Sequence, residues 1–320
     1  MYSLKIAYLA LSAALIQSPF TDIKRVSEEP ILVPRPGKFD AKGAFNPAAV
    51  KVGDKTILLY RAQDEKGTSR VGYAESSDGV HFTASDKPVL APETDYEKDG
   101  GVEDPRLVKI NGTYYLTYTG YNTKDAQLCL ATSKDLKSWK RLGVILPAYK
   151  GTWNKQWTKS GAIVTTKING KWWMYYLGTA GGADQMGLAS STDLIHWQDA
   201  TETPVLPKRE GMFDSKVVEP GPAPLLTKDG ILLIYNGADD KLVYRTGWVL
   251  FDKKDPTKVL QRSDKPIFEP EKQWEKVGQV PNVVFVEGLT DSGGKLKLYY
   301  GGADSNTGVA ECSLKDATGK

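Results

Sequence analysis

The sequence predicts an all-β protein, a five-bladed β-propeller. Three observations support this prediction: a strand-like segment that recurs about every 58 residues, a turn signature with the same period, and no helix-periodic stretch after the N-terminus. A period of this length accommodates four short strands. Radial repetition of such units leaves only short, protected edges. A β-sandwich with a second domain would not account for the period.

The recurring segment is an aromatic β-run that ends in small or polar residues, as in "YYLTYTGYN" and "WWMYYLGTA". Its aligned tyrosines give steps of 58, 58, 59 and 65 residues and are Tyr60, Tyr118, Tyr176, Tyr235 and Tyr300. The second signature is a turn opened by an aspartate, at Asp78, Asp135, Asp193 and Asp252. An aromatic residue closes the first three turns, and we expect those aromatics to pack beneath the turn.

A polar group beside proline or glycine begins a further strand in each repeat. The first strand of a propeller blade lines the central channel, so these starts should converge on one rim. The predicted rim groups are Asn46, Glu103–Asp104, Lys159–Ser160, Glu219 and Asn282. Because burying unpaired charge is costly, such a ring indicates a polar ligand. The alternative for Asp104 is a turn residue before Pro105 that forms an ion pair with Arg106.

Composition excludes several functional classes. A net charge of +3 over 320 residues predicts no nucleic-acid partner. With two histidines and no zinc-type spacing or phosphate loop, we expect no metal and no cofactor. Cys129 and Cys312 lie in strand-like runs and are predicted to be buried free thiols.

The N-terminus reads as a signal peptide, with one lysine before an apolar run from Ile6 to Ile16. Residues 1–17 are therefore predicted to be removed, leaving 18–320 as one catalytic propeller domain with no membrane insertion in its mature form. This predicts a periplasmic or secreted enzyme. The alternative is a packed leader helix in a cytoplasmic protein.

The segment "GVEDPRLVKINGTYYLTYTGY" resembles the signature of glycoside hydrolase family 130, which comprises β-mannoside phosphorylases and β-mannosidases. Further blocks resemble the family in the same order, including "KSGAIVTTKINGKWWMYY", "GPAPLLTKDGILLIYNGAD" and "LYYGGADSNTGVA". The resemblance covers about Arg35 to Ala310. It implies a five-bladed propeller, in agreement with the repeat count, and a mannose-containing oligosaccharide as substrate.

The resemblance also implies roles for individual residues. Asp104 matches the family's general acid, which is thought to protonate the leaving oxygen through a sugar hydroxyl. Arg106 matches the motif arginine, expected to orient that acid by a charge-assisted hydrogen bond. The positions predicted to bind substrate are Asn46, Arg61, Glu103, Arg106, Lys159 and Asp304.

The chain departs from the family pattern at positions that bear on which molecule, phosphate or water, accepts the mannosyl group. Where the resembled phosphorylases carry phosphate-binding His-Arg and His residues, this chain has Leu177–Gly178 and Asn236, and it adds Glu219. A carboxylate near phosphate is repulsive. We therefore expect an inverting, exo-acting β-mannosidase, with β-1,2 linkage as one option. A β-mannoside phosphorylase is the alternative, and a non-catalytic carbohydrate-binding propeller is a second one.

Inversion needs an acid and a base whose carboxyl groups are roughly 6.5–9.5 Å apart. Asp104 is the expected acid and Glu219 the expected base that activates water. Glu287 and Asp239 or Asp240 are rival bases, with Glu287 expected to be structural or to face another blade. Trp153 and Trp157 could stack on a sugar or pack within their loop.

Overall fold

The computed structural model describes residues 17–151 and 153–315. The predicted signal segment, residues 1–17, lies outside the described residues except for Gln17. Within those ranges the model contains no helix whose length and apolar character would let it cross a bilayer.

The described chain is almost entirely β-structure. Its strands are β1 (Lys24–Arg25), β2 (Gly43–Val52), β3 (Lys55–Gln63), β4 (Ser69–Ser76), β5 (Thr83–Ala84), β6 (Gly101–Ile110), β7 (Thr113–Tyr121), β8 (Ala126–Ser133), β9 (Lys140–Leu146), β10 (Thr158–Ile163), β11 (Trp172–Ala180), β12 (Ala183–Ser191), β13 (Gln198–Asp199), β14 (Val217–Pro220), β15 (Leu225–Leu226), β16 (Ile231–Ala238), β17 (Tyr244–Phe251), β18 (Val259–Arg262), β19 (Val284–Ser292), β20 (Lys295–Gly302) and β21 (Asn306–Ser313). The helical segments are a 3₁₀ turn at Asp95–Glu97 and α1 at Gln273–Lys276.

Antiparallel meanders are the building unit of these sheets. One sheet has the order β2-β3-β4-β6-β7-β8-β9, and a second has the order β10-β11-β12-β14-β16-β17-β18. Each is antiparallel except for one parallel step, between β4 and β6 in the first and between β12 and β14 in the second. Each of these two sheets is therefore a pair of meanders joined edge to edge.

The third sheet joins the two ends of the described chain. Its order is β1-β21-β20-β19, with Lys24 opposite Glu311 and Arg25 opposite Ala310. The N-terminal strand thus completes the C-terminal meander. The all-β class predicted from the sequence is confirmed.

The repeated tyrosines share one buried interaction. Each donates its hydroxyl hydrogen to a carboxylate that the chain supplies from outside the tyrosine's own strand. The pairs are Tyr60–Asp40, Tyr118–Glu97, Tyr176–Asp199, Tyr235–Asp214 and Tyr300–Glu275. Because a buried carboxylate needs partners, these pairs fix the connecting segments against the aromatic strands.

An arginine completes four of the five pairs. Asp40, Glu97 and Glu275 bind Arg35, Arg141 and Arg25, respectively. Asp214 binds both Arg209 and Arg262. The third repeat differs, since Asn154 Nδ2 lies 2.6 Å from the Tyr176 hydroxyl and 3.4 Å from Asp199.

The predicted aspartate turns are confirmed. Asp78, Asp135 and Asp193 each accept backbone N–H groups two and three residues ahead through Oδ1, and Asp252 does the same. Trp197, which closes the third turn, is buried in the core. Both cysteines are buried and free, as expected.

We predict that Glu275→Gln lowers the free energy of unfolding by about 2–4 kcal/mol, because it removes the buried carboxylate from Arg25 and leaves the exposed Glu271 as the remaining ion-pair partner among the described residues. Arg25 Nε and Nη2 each lie 2.7 Å from Glu275. Burial opposes ionisation of Glu275, but the Arg25 hydrogen bonds outweigh it and lower the pKa of this carboxyl. The stabilisation is therefore present at neutral pH and is lost as the pH falls through the folded-state pKa.

Chemical denaturation at neutral and acidic pH measures this effect. The matched control is Glu311→Gln, a change at an exposed glutamate on β21 that should stay within about 0.5 kcal/mol. Equal unfolding free energies for the two variants at pH 7 would contradict the prediction.

Candidate active site

Strands β2, β6 and β10 each carry a bulge at the predicted rim position. Asn46, Asp104 and Ser160 adopt left-handed φ values of 47°, 48° and 60°. Strand register shifts at the same places. A bulge of this kind re-aims a side chain and often lies beside a functional site. Proline or glycine follows each of these residues, as the sequence pattern required.

Arg61 on β3 holds the two acidic residues of β6. Its Nη2 lies 2.6 Å from Glu103 Oε1, and its Nη1 lies 3.3 Å from Asp104 Oδ1. Arg61 Nε also donates to the Ser69 hydroxyl at 3.0 Å. The guanidinium fork therefore binds both carboxylates at once.

Asn46 is the second partner of the Asp104 carboxylate. Its Nδ2 donates to Asp104 Oδ1 at 2.9 Å. Its Oδ1 is buried and has no partner among the described residues. Gly301 leaves room for this amide, since a Cβ there would come within 2.0 Å of Asn46 Oδ1. The motif "YYGGAD" thus requires glycine at that position.

Arg106 differs from the expectation that it orients the Asp104 carboxylate. It donates to the backbone carbonyls of Asp104, Pro220 and Gly221 at 3.2, 2.7 and 2.9 Å. Its guanidinium is only 2% exposed, so it is not placed to bind substrate directly. Arg61 rather than Arg106 is the ion-pair partner of Asp104, because the bulge turns the Asp104 side chain toward β3.

Glu219 on β14 lies beneath the same rim. It accepts a hydrogen bond from the Ser160 hydroxyl, and its Oε1 lies 3.8 Å from Arg106 Nη2. Burial raises the pKa of Glu219 to about 7, against the opposing pull of Arg106 and Ser160. A carboxyl group with this pKa can exchange its proton near neutral pH.

Lys159 and Asp304 are the remaining residues predicted to bind substrate. Burial raises the pKa of Asp304 to about 6, while Arg61 and Lys159 act in the opposite direction. Lys159 also acts electrostatically on Asp104 and Glu219, and its Nζ lies 5.2 Å from the ring centre of Trp157. Of the six residues predicted to bind substrate, all except Arg106 therefore lie around the Asp104 carboxylate. For the predicted rim residue Asn282, the structure shows its backbone carbonyl accepting from the Tyr244 N–H.

Asp104 is ionised in the free site. Burial opposes its ionisation, but the charge of Arg61 and the Asn46 hydrogen bond prevail and lower the pKa of this carboxyl. Its neighbour Glu103 has a raised pKa, because burial outweighs Arg61 there. For Asp104 to donate a proton, a bound sugar has to raise its pKa, as the exclusion of water or a hydroxyl inserted beside Arg61 would do.

The positions that depart from the family pattern carry no cation. Leu177 is buried against Val217 and Ala238. Asn236 is fully buried and bridges to Val286, with Nδ2 donating to its carbonyl and Oδ1 accepting from its N–H, both at 2.9 Å.

The structure also shows the contacts of two rival bases, Asp239 and Glu287, and of the loop tryptophans. Asp239 forms an ion pair with Arg245 at 2.8 Å. Glu287 faces Arg106, whose Nη2 lies 3.6 Å away. Trp153 packs on Tyr176 of β11, whereas Trp157 lies beside Lys159 and Tyr121.

Sequence reasoning missed Tyr244 at the start of β17. Burial raises its pKa, and the negative charges of Glu219, Asp184 and Asp304 add to the effect. Its ring packs against Phe285. Tyr244 follows no period of the repeat, so only its place within a block that resembles the family could have suggested it.

Carboxyl groups held at one place with separated pKa values, as in Asp104 and Glu219, are the arrangement that carbohydrate-cleaving enzymes use. The chain belongs to glycoside hydrolase family 130. The family model, described as β-1,4-mannooligosaccharide phosphorylase, matches residues 21–318. This coverage confirms the family resemblance inferred from the sequence motifs.

Similar proteins act on β-1,2-linked mannosides. A 1,2-β-oligomannan phosphorylase of Thermoanaerobacter sp. is 41% identical, with 92% of this chain and 98% of that protein aligned. The structure of β-1,2-mannobiose phosphorylase from Listeria innocua with β-1,2-mannobiose has a TM-score of 0.83 at 27% identity, covering 93% of this chain and 98% of that one.

A second similar structure carries the description that this family of mannoside phosphorylases contains glycoside hydrolases that target β-1,2-mannosidic linkages in Candida mannan. Its TM-score is 0.84 at 35% identity, covering 91% of this chain and 94% of that one. The similar proteins therefore include named phosphorylases and a structure whose description says that the family also contains hydrolases.

We predict that Glu219→Gln becomes more stable relative to the wild type as the pH rises from about 4.5 to about 8. The folded-state pKa of Glu219 is about 7, above the ordinary 4.5, so the folded protein binds more protons than the unfolded chain in this window. Stability of the wild type falls there as the pH increases, and the neutral amide removes up to about 3 kcal/mol of that loss. Urea titrations of both proteins at several pH values measure the difference in their free energies of unfolding. A difference that does not change with pH would contradict the prediction.

Proposed function

We propose that this chain cleaves β-linked mannosides from the non-reducing end of an oligosaccharide, in one inverting displacement at the rim around Asp104. The observation that carries the proposal is the binding of Asp104 by Arg61 and Asn46 in a chain of this family. The β-1,2 activities of the similar proteins support that linkage.

In this proposal the substrate sugar occupies the space among Asn46, Arg61, Glu103 and Asp304. The bond from the anomeric carbon to the leaving oxygen breaks while the acceptor oxygen forms a new bond to that carbon on the opposite face. Asp104 supplies the proton that the leaving oxygen takes up, through a sugar hydroxyl. Lys159 balances the negative charge of the rim.

Phosphate is the acceptor that the relatives support best. The matched curated proteins are mannoside phosphorylases, and the alignment with the oligomannan phosphorylase covers nearly the full length of both chains. Lys159 is a rim cation that can bind an anion, whereas Arg61 already binds the Glu103 and Asp104 carboxylates. We therefore place phosphorolysis, which yields α-mannose 1-phosphate, ahead of the hydrolysis expected from the sequence.

One observation favours water as a second candidate acceptor. Glu219 lies at the rim with a pKa of about 7, while Leu177 and Asn236 are buried and offer no cation. Placing a phosphate dianion beside this carboxylate is unfavourable, whereas water gains a base. In this case Glu219 accepts the water proton and α-mannose is released.

We further propose that the meanders form five blades around one channel. Core clusters join each meander to the next, and the last cluster packs Tyr299 of β20 against Leu58 of β3. We also propose that residues 18–320 form one catalytic domain. A further proposal is that the protein is exported to the periplasm or out of the cell, and the apolar run within the first 17 residues supports it.

Asp104→Asn should reduce kcat on a mannobiose by about 10²–10⁴-fold, because the amide cannot deliver a proton to the leaving oxygen. An aryl mannoside with an acidic leaving group needs less protonation and should be affected less. Steady-state kinetics on both substrates measure the contrast. Asp54→Asn, in an exposed hairpin turn, is the matched control. Equal losses on both substrates in a folded variant would remove the acid role from Asp104.

Product analysis with and without phosphate distinguishes the two acceptors. Phosphorolysis predicts α-mannose 1-phosphate at a rate that rises with phosphate, and Glu219→Gln then retains activity. Hydrolysis predicts free α-mannose at a rate insensitive to phosphate, with a loss of about 10²-fold or more in Glu219→Gln. NMR of early product identifies the anomer. A β-anomer in either reaction, or no turnover of mannobioses, would contradict the proposed inverting cleavage.

A further inference from the structure

Glu287 on β19 is a buried acid that the proposed cleavage does not use. Its side chain is fully buried and, within the described residues, neither carboxyl oxygen has a hydrogen-bond partner. Glu275, equally buried, accepts hydrogen bonds at both oxygens from Arg25, Tyr300 and two backbone N–H groups. A buried carboxylate normally collects such donors. Without a donor at either oxygen, the neutral form of the Glu287 carboxyl group is favoured over the carboxylate.

Arg106 lies between Glu287 and Glu219. Its Nη2 is 3.6 Å from Glu287 Oε2 and 3.8 Å from Glu219 Oε1. All three of its nitrogens already donate to backbone carbonyls, two of them in the residues directly after Glu219. Arg106 thus fastens the Asp104 strand to the Glu219 strand, and one guanidinium charge is shared by two carboxyl groups.

The other charged groups that face Glu287 do not relieve this competition. Asp104 and Glu219 are negative neighbours, and Arg61 is a second cation that is already bound by Glu103 and Asp104. Burial raises the pKa of Glu287 well above its usual range, against the pull of Arg106.

We propose that Glu287 is a positioning residue that has to stay protonated for cleavage, because a neutral Glu287 leaves Arg106 in its contacts with the Asp104, Pro220 and Gly221 carbonyls. When Glu287 ionises at higher pH, Arg106 is drawn toward it. The hold of Arg106 on the Pro220 and Gly221 carbonyls then weakens, and the Asp104 strand loses its fixed position relative to β14, whichever acceptor takes the mannosyl group.

The test is the pH profile of kcat/KM for Glu287→Gln, in which the group is neutral at every pH. This measurement rests on the proposed function for its activity readout. We expect the alkaline limb to move to higher pH by about one unit or more, with the acidic limb unchanged. Glu287→Met, also neutral, covers the case in which the amide does not fold. Glu275→Gln is the control: it should lower stability and leave the alkaline limb in place.

An infrared measurement separates failure of this inference from failure of the proposed function. At neutral pH the wild type should show the C=O stretch of a protonated carboxyl group that is missing from Glu287→Gln, whatever the protein cleaves. Absence of that band overturns the inference. An alkaline limb that does not move, or a folded variant without activity at any pH, overturns it as well.

Discussion

The site depends on a bulge that is repeated at the start of three strands. Asn46, Asp104 and Ser160 hold left-handed backbone conformations that cost of order 1–3 kcal/mol each in residues other than glycine. In a regular strand, consecutive side chains point to opposite faces of the sheet. The bulges re-aim Asn46, Asp104 and Ser160, so that Asn46 and Arg61 reach Asp104 and Ser160 reaches Glu219. The placement of the Asp104 carboxylate and of the Ser160–Glu219 contact therefore follows from backbone geometry.

The second constraint is that carboxyl groups outnumber cationic side chains at the site. The described rim and the layer beneath it hold the carboxyl groups of Glu103, Asp104, Glu219, Glu287 and Asp304 and the cations Arg61, Arg106 and Lys159. With fewer cations than acids, burial keeps protons on part of the set, and the pKa values separate accordingly. Asp104 accepts hydrogen bonds from both Arg61 and Asn46, and its pKa is lowered, whereas Glu287 has no hydrogen-bond donor among the described residues. A glycosidase-type site needs such separation, because one group must give a proton while another takes one.

Much of this could be predicted from the sequence, since repeated patterns report backbone structure. The tyrosine period predicted the strands, and the polar starts predicted that Asn46, Asp104 and Glu219 would lie together. The partner of the Asp104 carboxylate could not be predicted: Arg106 is nearer in sequence, but the bulge turns the carboxylate toward Arg61. Pairings between distant strands, such as Arg106 with the Gly221 carbonyl, leave no local pattern. The sequence pattern also does not decide whether phosphate or water accepts the mannosyl group. The similar proteins favour phosphate, whereas Glu219, Leu177 and Asn236 favour water.

The central claim is that a β-linked mannoside binds and is cleaved at the rim around Asp104. A crystal structure of the protein with an uncleavable sulfur-linked mannobiose tests this most directly. We expect the non-reducing mannosyl ring to contact Arg61 and Asp304. The carboxyl groups of Asp104 and Glu219 should lie on opposite faces of the glycosidic linkage, roughly 6.5–9.5 Å apart. Binding only in the cavity of about 580 Å³ at the other end of β2, lined by Thr56 and Lys297 among others, would contradict it.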